Sequence, residues 1–200
     1  MAKERNAAYP VVFLTLVVLF SVIALMLIDG VTAERIAANK REAIKQMLGA
    51  LFPEMADFSY DETTELYTLF DASAVLIDAE TGESTLLAGS PAVGHAFMTN
   101  GKGYGGKIGI LIGLETDRSI RGIRIISHQE TPGLGTKITG AGFLGQFAGL
   151  SVGKLALRKD GGSIDAITGA TISSRAVAEG VVAGIVSVTP VLDSTGEEVP

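Results

Sequence analysis

KIGILIGLETDRSIRGIRII, residues 107–126, decides the fold. Ile108, Ile110, Ile112 and Leu114 recur at every second position and share one face of an extended chain, with Gly109 and Gly113 on the other. After Thr116, Asp117 and Arg118, polar residues suited to a reversal, residues 120–126 return to an apolar run. The stretch therefore predicts an antiparallel hairpin, 108–114 with 120–126. A second is predicted from 74–77 and 85–87, which flank Asp78-Ala79-Glu80-Thr81-Gly82. A short helix around 143–147 and a longer one over 173–188, stopped by Pro190, complete the reading. The class is α+β: an antiparallel-rich sheet flanked by helices, spanning residues 54–190 as one domain, with a polar tail at 191–200.

Working towards the N-terminus, VVFLTLVVLFSVIALMLI at residues 11–28 carries no charge. With Pro10 it spans ~28 Å as a helix, about the thickness of a bilayer core. Its only hydroxyl-bearing residues are Thr15 and Ser21, so residues 1–30 read as a single N-terminal transmembrane anchor. A cleaved signal sequence is the rival, since Val31-Thr32-Ala33 resembles a small-x-small cleavage site; the length of the apolar run favours a retained anchor. Lys3 and Arg5 precede the span and Arg35, Lys40, Arg41 and Lys45 follow it, so charge alone does not orient it. Residues 31–53 space Ile36, Ile44, Met47, Leu48 and Leu51 as one face of an amphipathic juxtamembrane helix, stopped at Phe52-Pro53.

Composition removes several classes of function. Sixteen basic residues face 22 acidic ones, a formal charge of −6, and no dense basic run exists to engage nucleic acid. The absence of cysteine excludes disulfides, thiolate metal sites, iron–sulfur clusters and thiol nucleophiles. Gly-x-Ser-x-Gly does not occur. His95 and His128 lack the spacing of a metal site; His128 with Glu130 makes at most a fragment, and a hydrogen-bonded surface histidine is the simpler reading. Gly101-Lys102-Gly103-Tyr104-Gly105-Gly106 satisfies the string of a dinucleotide fingerprint, but it precedes a strand instead of linking a strand to a helix. It reads as a loop and the start of an edge strand. Lys154, Arg158 and Lys159 read as a solvated basic turn.

Two segments carry sharper chemistry. Asp165-Ala166-Ile167-Thr168-Gly169-Ala170-Thr171 runs into the predicted helix that begins near Ser173. Unpaired N–H groups and the positive end of the dipole at a helix start favour a phosphate. Gly169 and Ala170 let the main chain approach, and Thr171 places a hydroxyl beside the anion. The simpler alternative is a helix cap by Asp165, Thr168 or Ser173. The second segment, Glu130-Thr131-Pro132-Gly133-Leu134-Gly135, follows a strand of the 108–126 hairpin.

Residues 165–171 resemble the flavinylation motif Asp-x-x-(Ser/Thr)-Gly-Ala-(Thr/Ser) of the FMN-binding subunits of membrane redox pumps, and 131–135 resemble the Thr-Pro-Gly-Leu-Gly loop of the same family. With the anchor and the length, the chain is similar to the G subunit of the Rnf complex, an ion-translocating ferredoxin:NAD⁺ oxidoreductase; the related C subunit of the Na⁺-translocating NADH:quinone reductase shares both motifs. The resemblance implies FMN attached through its phosphate to the Thr171 hydroxyl, installed by a separate Mg²⁺-dependent flavin transferase that uses FAD and reads Asp165. It also implies that Thr168, Gly169 and Ala170 bind beside the attachment point. Thr131, Gly133 and Leu134 are expected against the flavin, with Leu134 over a ring face and Pro132, Gly135, Glu130 and Lys137 nearby. The implied protein is an electron carrier among other Rnf subunits that move Na⁺ or H⁺, single-pass, with its domain on the extracytoplasmic side of the cell membrane. The alternative from another class is a membrane-anchored binding or assembly module holding phosphate or flavin without a covalent bond.

Overall fold

The computed structural model describes residues 8–77, 84–87 and 89–194. The chain divides into two compact units, up to Gln46 and from Met47 onward.

A single helix, α1 (Ala8–Gly49), runs without interruption from the expected anchor into the expected amphipathic segment and ends just past the boundary at Gln46. Its 42 residues measure ~63 Å at 1.5 Å per residue. From Val12 to Val22 the apolar side chains are exposed, Phe20 by 75%. Ser21 returns its hydroxyl to the carbonyl of Val17 at 2.9 Å, which satisfies the donor without a partner outside the helix.

The second unit is built on a five-stranded antiparallel sheet. Its strands are β1 (Asp57–Asp61), β2 (Leu66–Phe70), β5 (Gly94–Lys102), β6 (Lys107–Leu114) and β7 (Ile120–Ser127), adjacent in that order. The deciding hairpin is present as β6 and β7, with Ile112 opposite Ile123. The second expected hairpin forms a small separate ladder of β3 (Val75–Ile77) and β4 (Ser84–Leu86); its reversal lies outside the described residues.

Strand β6 is buried along all but its first residue. Ile108, Ile110 and Ile112 face the main core, and the glycine side is covered near one end by Phe52, whose ring a Cβ at Gly94 or Gly113 would strike. Arg121 holds that cover in place: its guanidinium lies 4.9 Å from the Phe52 ring centre, and its Nε donates to the carbonyl of Leu51 at 2.9 Å.

The long C-terminal helix, α3 (Thr171–Ser194), lies across β5 on the core side. Main chain meets main chain there. A side chain at Gly101 would collide with the carbonyl of Ala176, and one at Gly180 would stand 3.0 Å from Gly101. Thr99 donates to the carbonyl of Gly180 at 3.2 Å. By length and composition α3 is apolar enough to cross a membrane, yet half of it is buried in the domain, which marks it as a core helix. It also passes through Pro190 instead of stopping there. The carbonyl that proline leaves without a partner belongs to Val186, an exposed residue, so water can satisfy it. The expected short helix appears as α2 (Ala141–Leu144) followed by a 3₁₀ turn, Gly145–Phe147, with Phe143 and Phe147 packed edge to face.

Gly101-Lys102-Gly103-Tyr104-Gly105-Gly106 departs from the edge-strand start expected of it. Its first two residues end β5 and the rest form the tight turn into β6, closed by Gly103 N–H to the carbonyl of Gly106 at 2.8 Å. β6 sits between β5 and β7, so the segment starts an inner strand and not an edge.

Candidate functional site

At the turn end of β5 and β6 a cleft of about 520 Å³ opens between three segments: the 103–106 turn, the 130–135 loop and the start of α3. Tyr104, Glu130, Thr131, Leu134, Gly135, Gly169, Ala170, Thr171, Ile172 and Ser173 line it. The two motifs, far apart in the chain, thus meet across one cavity.

The floor is the start of α3. Ala170 accepts the first helical bond, from Ser174 N–H at 2.9 Å, which leaves the N–H groups of Thr171, Ile172 and Ser173 without helical acceptors. The buried Ser174 hydroxyl stitches the approach: it donates to the carbonyl of Ala170 at 2.9 Å and accepts from Ile167 N–H at 3.0 Å. Gly169 has φ +79°, a left-handed conformation that only glycine adopts without strain. The half-buried Thr171 therefore presents its hydroxyl at a helix start with free donors beside it.

One wall is the 130–135 loop. Leu134 N–H and Thr136 N–H both point to the carbonyl of Thr131 at 3.3 Å, and Gly133 N–H donates to Thr136 Oγ1 at 3.0 Å. Leu134 is left 47% exposed against Gly169, with its Cδ2 3.1 Å from where a Cβ there would sit. The other wall is Tyr104, 71% exposed. Apolar and aromatic walls above a helix start with unpaired donors and a hydroxyl suit a ligand that is flat and apolar at one end and anionic at the other. An FMN-sized ligand fits the volume, which lies within the range of about 300–1,000 Å³ usual for such sites.

Not every expected residue reaches the cleft. Pro132, Gly133 and Lys137 do not line it, and the same holds for Thr168. Asp165 also lies outside: its carboxyl pairs with Arg158 at 2.7 Å, and its backbone is held by Gln146, whose Oε1 accepts from Asp165 N–H at 2.7 Å. Tyr104, Ile172 and Ser173 line the cleft without having been expected there from sequence. Tyr104 had a signal, a single aromatic in a glycine-rich turn. Among the described residues no group of acidic and histidine side chains could hold a metal; His128 Nδ1 faces Glu130 N–H at 3.4 Å.

A second cleft of the same volume runs along another stripe of α3, lined by Leu155, Leu157, Ala178, Val182 and Val186 with the Asp160–Arg175 pair at its edge. It holds none of the motif residues.

Fold and cleft together describe a flavin-binding domain, and residues 103–186 match the FMN-binding domain family. A relative from Methanosarcina acetivorans, named as the G subunit of an ion-translocating oxidoreductase complex, is 38% identical over 144 residues, covering 72% of this chain and 71% of the relative. The protein of the same name from Stutzerimonas stutzeri is 33% identical over 186 residues, covering 90% and 79%. The crystal structure of Shewanella oneidensis NqrC has a TM-score of 0.45 at 22% identity, covering 70% of this chain and 72% of that one. The chain belongs to the family of G subunits of ion-translocating oxidoreductase complexes.

Proposed function

We propose that this protein carries FMN covalently, through a phosphate ester to Thr171, as an electron-transfer subunit of a membrane complex that couples ferredoxin:NAD⁺ oxidoreduction to Na⁺ or H⁺ movement. The observation that carries the reading is the meeting of both motifs across one cleft, with the Thr171 hydroxyl at a helix start. Bound there, FMN supplies one- and two-electron chemistry, and the chain supplies position and exclusion of water. The N–H groups at the start of α3 face the ester phosphate, Gly169 and Ala170 keep the approach clear, and Leu134 and Tyr104 flank the ring. No histidine or lysine lines the cleft to take the Thr171 proton, and both oxygens of Glu130 are occupied by Gly105 and Ser173, so the attachment is assigned to a separate flavin transferase. In that step the Thr171 oxygen would replace AMP on the FMN phosphorus of FAD, with its hydroxyl proton passing to a base of the transferase. Exposed Asp165, outside the cleft, is available to that enzyme together with Thr168.

The exposed apolar side chains of 12–22 support residues 1–30 as the membrane anchor, with residues 31–53 leading from it to the 54–190 domain. The domain is assigned to the extracytoplasmic face, where a covalent tether prevents loss of a flavin that could not be replaced. Denaturing gels of wild type and Thr171→Ala, each co-expressed with a flavin transferase, test the reading. A fluorescent wild-type band and a dark mutant are expected; two dark bands would return the cleft to a non-covalent phosphate or flavin module.

A further inference from the structure

Glu130 lies at the base of the cleft and is 5% exposed, with both carboxyl oxygens engaged by different segments. Oε1 accepts from Gly105 N–H at 3.0 Å, in the turn that carries Tyr104. Oε2 accepts from the Ser173 hydroxyl at 2.5 Å, in the first turn of α3, next but one to Thr171. Ser173 is itself 2% exposed. Backbone closes the rest of the space: a Cβ at Gly103 would collide with Oε1, and one at Gly135 would stand 2.8 Å from both Cβ and Oε2 of Glu130. Three segments far apart in sequence are therefore joined through one side chain, with the backbone of Gly103 and Gly135 packed closely against it. An apolar residue of equal size would leave the Gly105 N–H without its acceptor in a water-poor site.

We infer that Glu130 is a positioning residue that sets the separation of the Tyr104 wall from the Thr171 floor and so holds the cleft open to its working width before any flavin arrives. It acts through Gly105 and Ser173, since both of its oxygens are already used by them. This rests on the flavin reading of the cleft, but the device itself is present in the flavin-free chain.

Hydrogen exchange on the full-length protein without flavin tests it. In Glu130→Ala, exchange at 103–106 is expected to rise by about tenfold or more while 108–114 keeps its wild-type rate. Glu130→Gln restores protection, because its amide oxygen can accept from Gly105 and its NH₂ can donate to a rotated Ser173 hydroxyl. Where Glu130→Ala does not fold, Ser173→Ala decides: exchange at 103–106 rises although Ser173 does not touch that turn. Unchanged exchange at 103–106, or a Gln variant as open as the Ala variant, overturns the inference. In flavinylated protein the Ala variant is expected to show lower flavin fluorescence anisotropy and the Gln variant the wild-type value; equal anisotropy in all three overturns the positioning role. A dark wild-type band would count against the flavin reading alone, since the exchange result stands without flavin.

Discussion

Two clefts of equal volume lie along α3, and they differ in what their walls can do. The one at its N-terminus has a hydroxyl, unpaired N–H groups, a buried carboxyl and an exposed aromatic ring; the other has aliphatic walls and a solvent-facing ion pair. Size does not separate them. Chemistry does, because the first offers an anion unpaired backbone N–H groups and a flat group an aromatic wall, whereas the arginine of the second is already paired with Asp160. The first also borrows walls from two loops that the sheet brings to the helix, whereas the second is walled by α3 and the 155–160 segment.

Four substitutions sharpen that contrast. Gly101→Val attacks what both clefts share, the contact of β5 with α3, and should destabilise the domain by about 3 kcal/mol or more, read as a lowered melting temperature with loss of flavin labelling. Gly169→Ala strains only the first cleft. It should cost about 1–2 kcal/mol and reduce labelling of Thr171 well beyond any loss of folded protein. Arg175→Ala breaks the ion pair beside the second cleft, exposed by 40% and 39% at its two partners, and should cost under about 1 kcal/mol with labelling unchanged. A labelling defect in that variant would tie the two clefts together.

The smallest effect lies away from both. The side-chain and backbone hydrogen bonds of Ser119 hold the Asp117 carboxyl below its ordinary 3.8, and those of Ser73 do the same for Asp71. Because the folded value is depressed, this stabilisation is present above the unfolded value and is lost as pH falls through the folded one. Asp117→Asn should therefore flatten the acid limb of a stability titration, with a small loss of stability above about pH 4 and little change below it.

What the sequence made legible follows from physics that acts locally. The β6–β7 hairpin is written in its alternation, and the Thr171 turn in a motif next to a helix start. Strands β1 and β5 are hard to read because their patterns are weak: β1 is Asp-Phe-Ser-Tyr-Asp at an edge, and β5 carries Gly, His, Asn and Lys. Gly101 lowers strand propensity for the reason that makes it necessary, since α3 must approach its backbone. Tyr104 and Ser173 join the site through tertiary pairing, and the lone aromatic in the glycine-rich turn is the local sign of it. Pro190 misled for a similar reason, because whether a lost helical bond matters depends on the exposure of a carbonyl one helical turn away.

Phe52 covers the sheet at Gly94 and Gly113, while the turn that carries Tyr104 is at the opposite end of the same two strands. Along the 8 residues of β6, at about 3.4 Å per step, those ends stand roughly 24 Å apart. The chain thus enters the domain at one pole and handles its ligand at the other. Packing at that end and ligand binding at the other are separable: a substitution at Phe52 leaves the side chains that line the cleft untouched. Evolution, or an engineer, can retune one without disturbing the other.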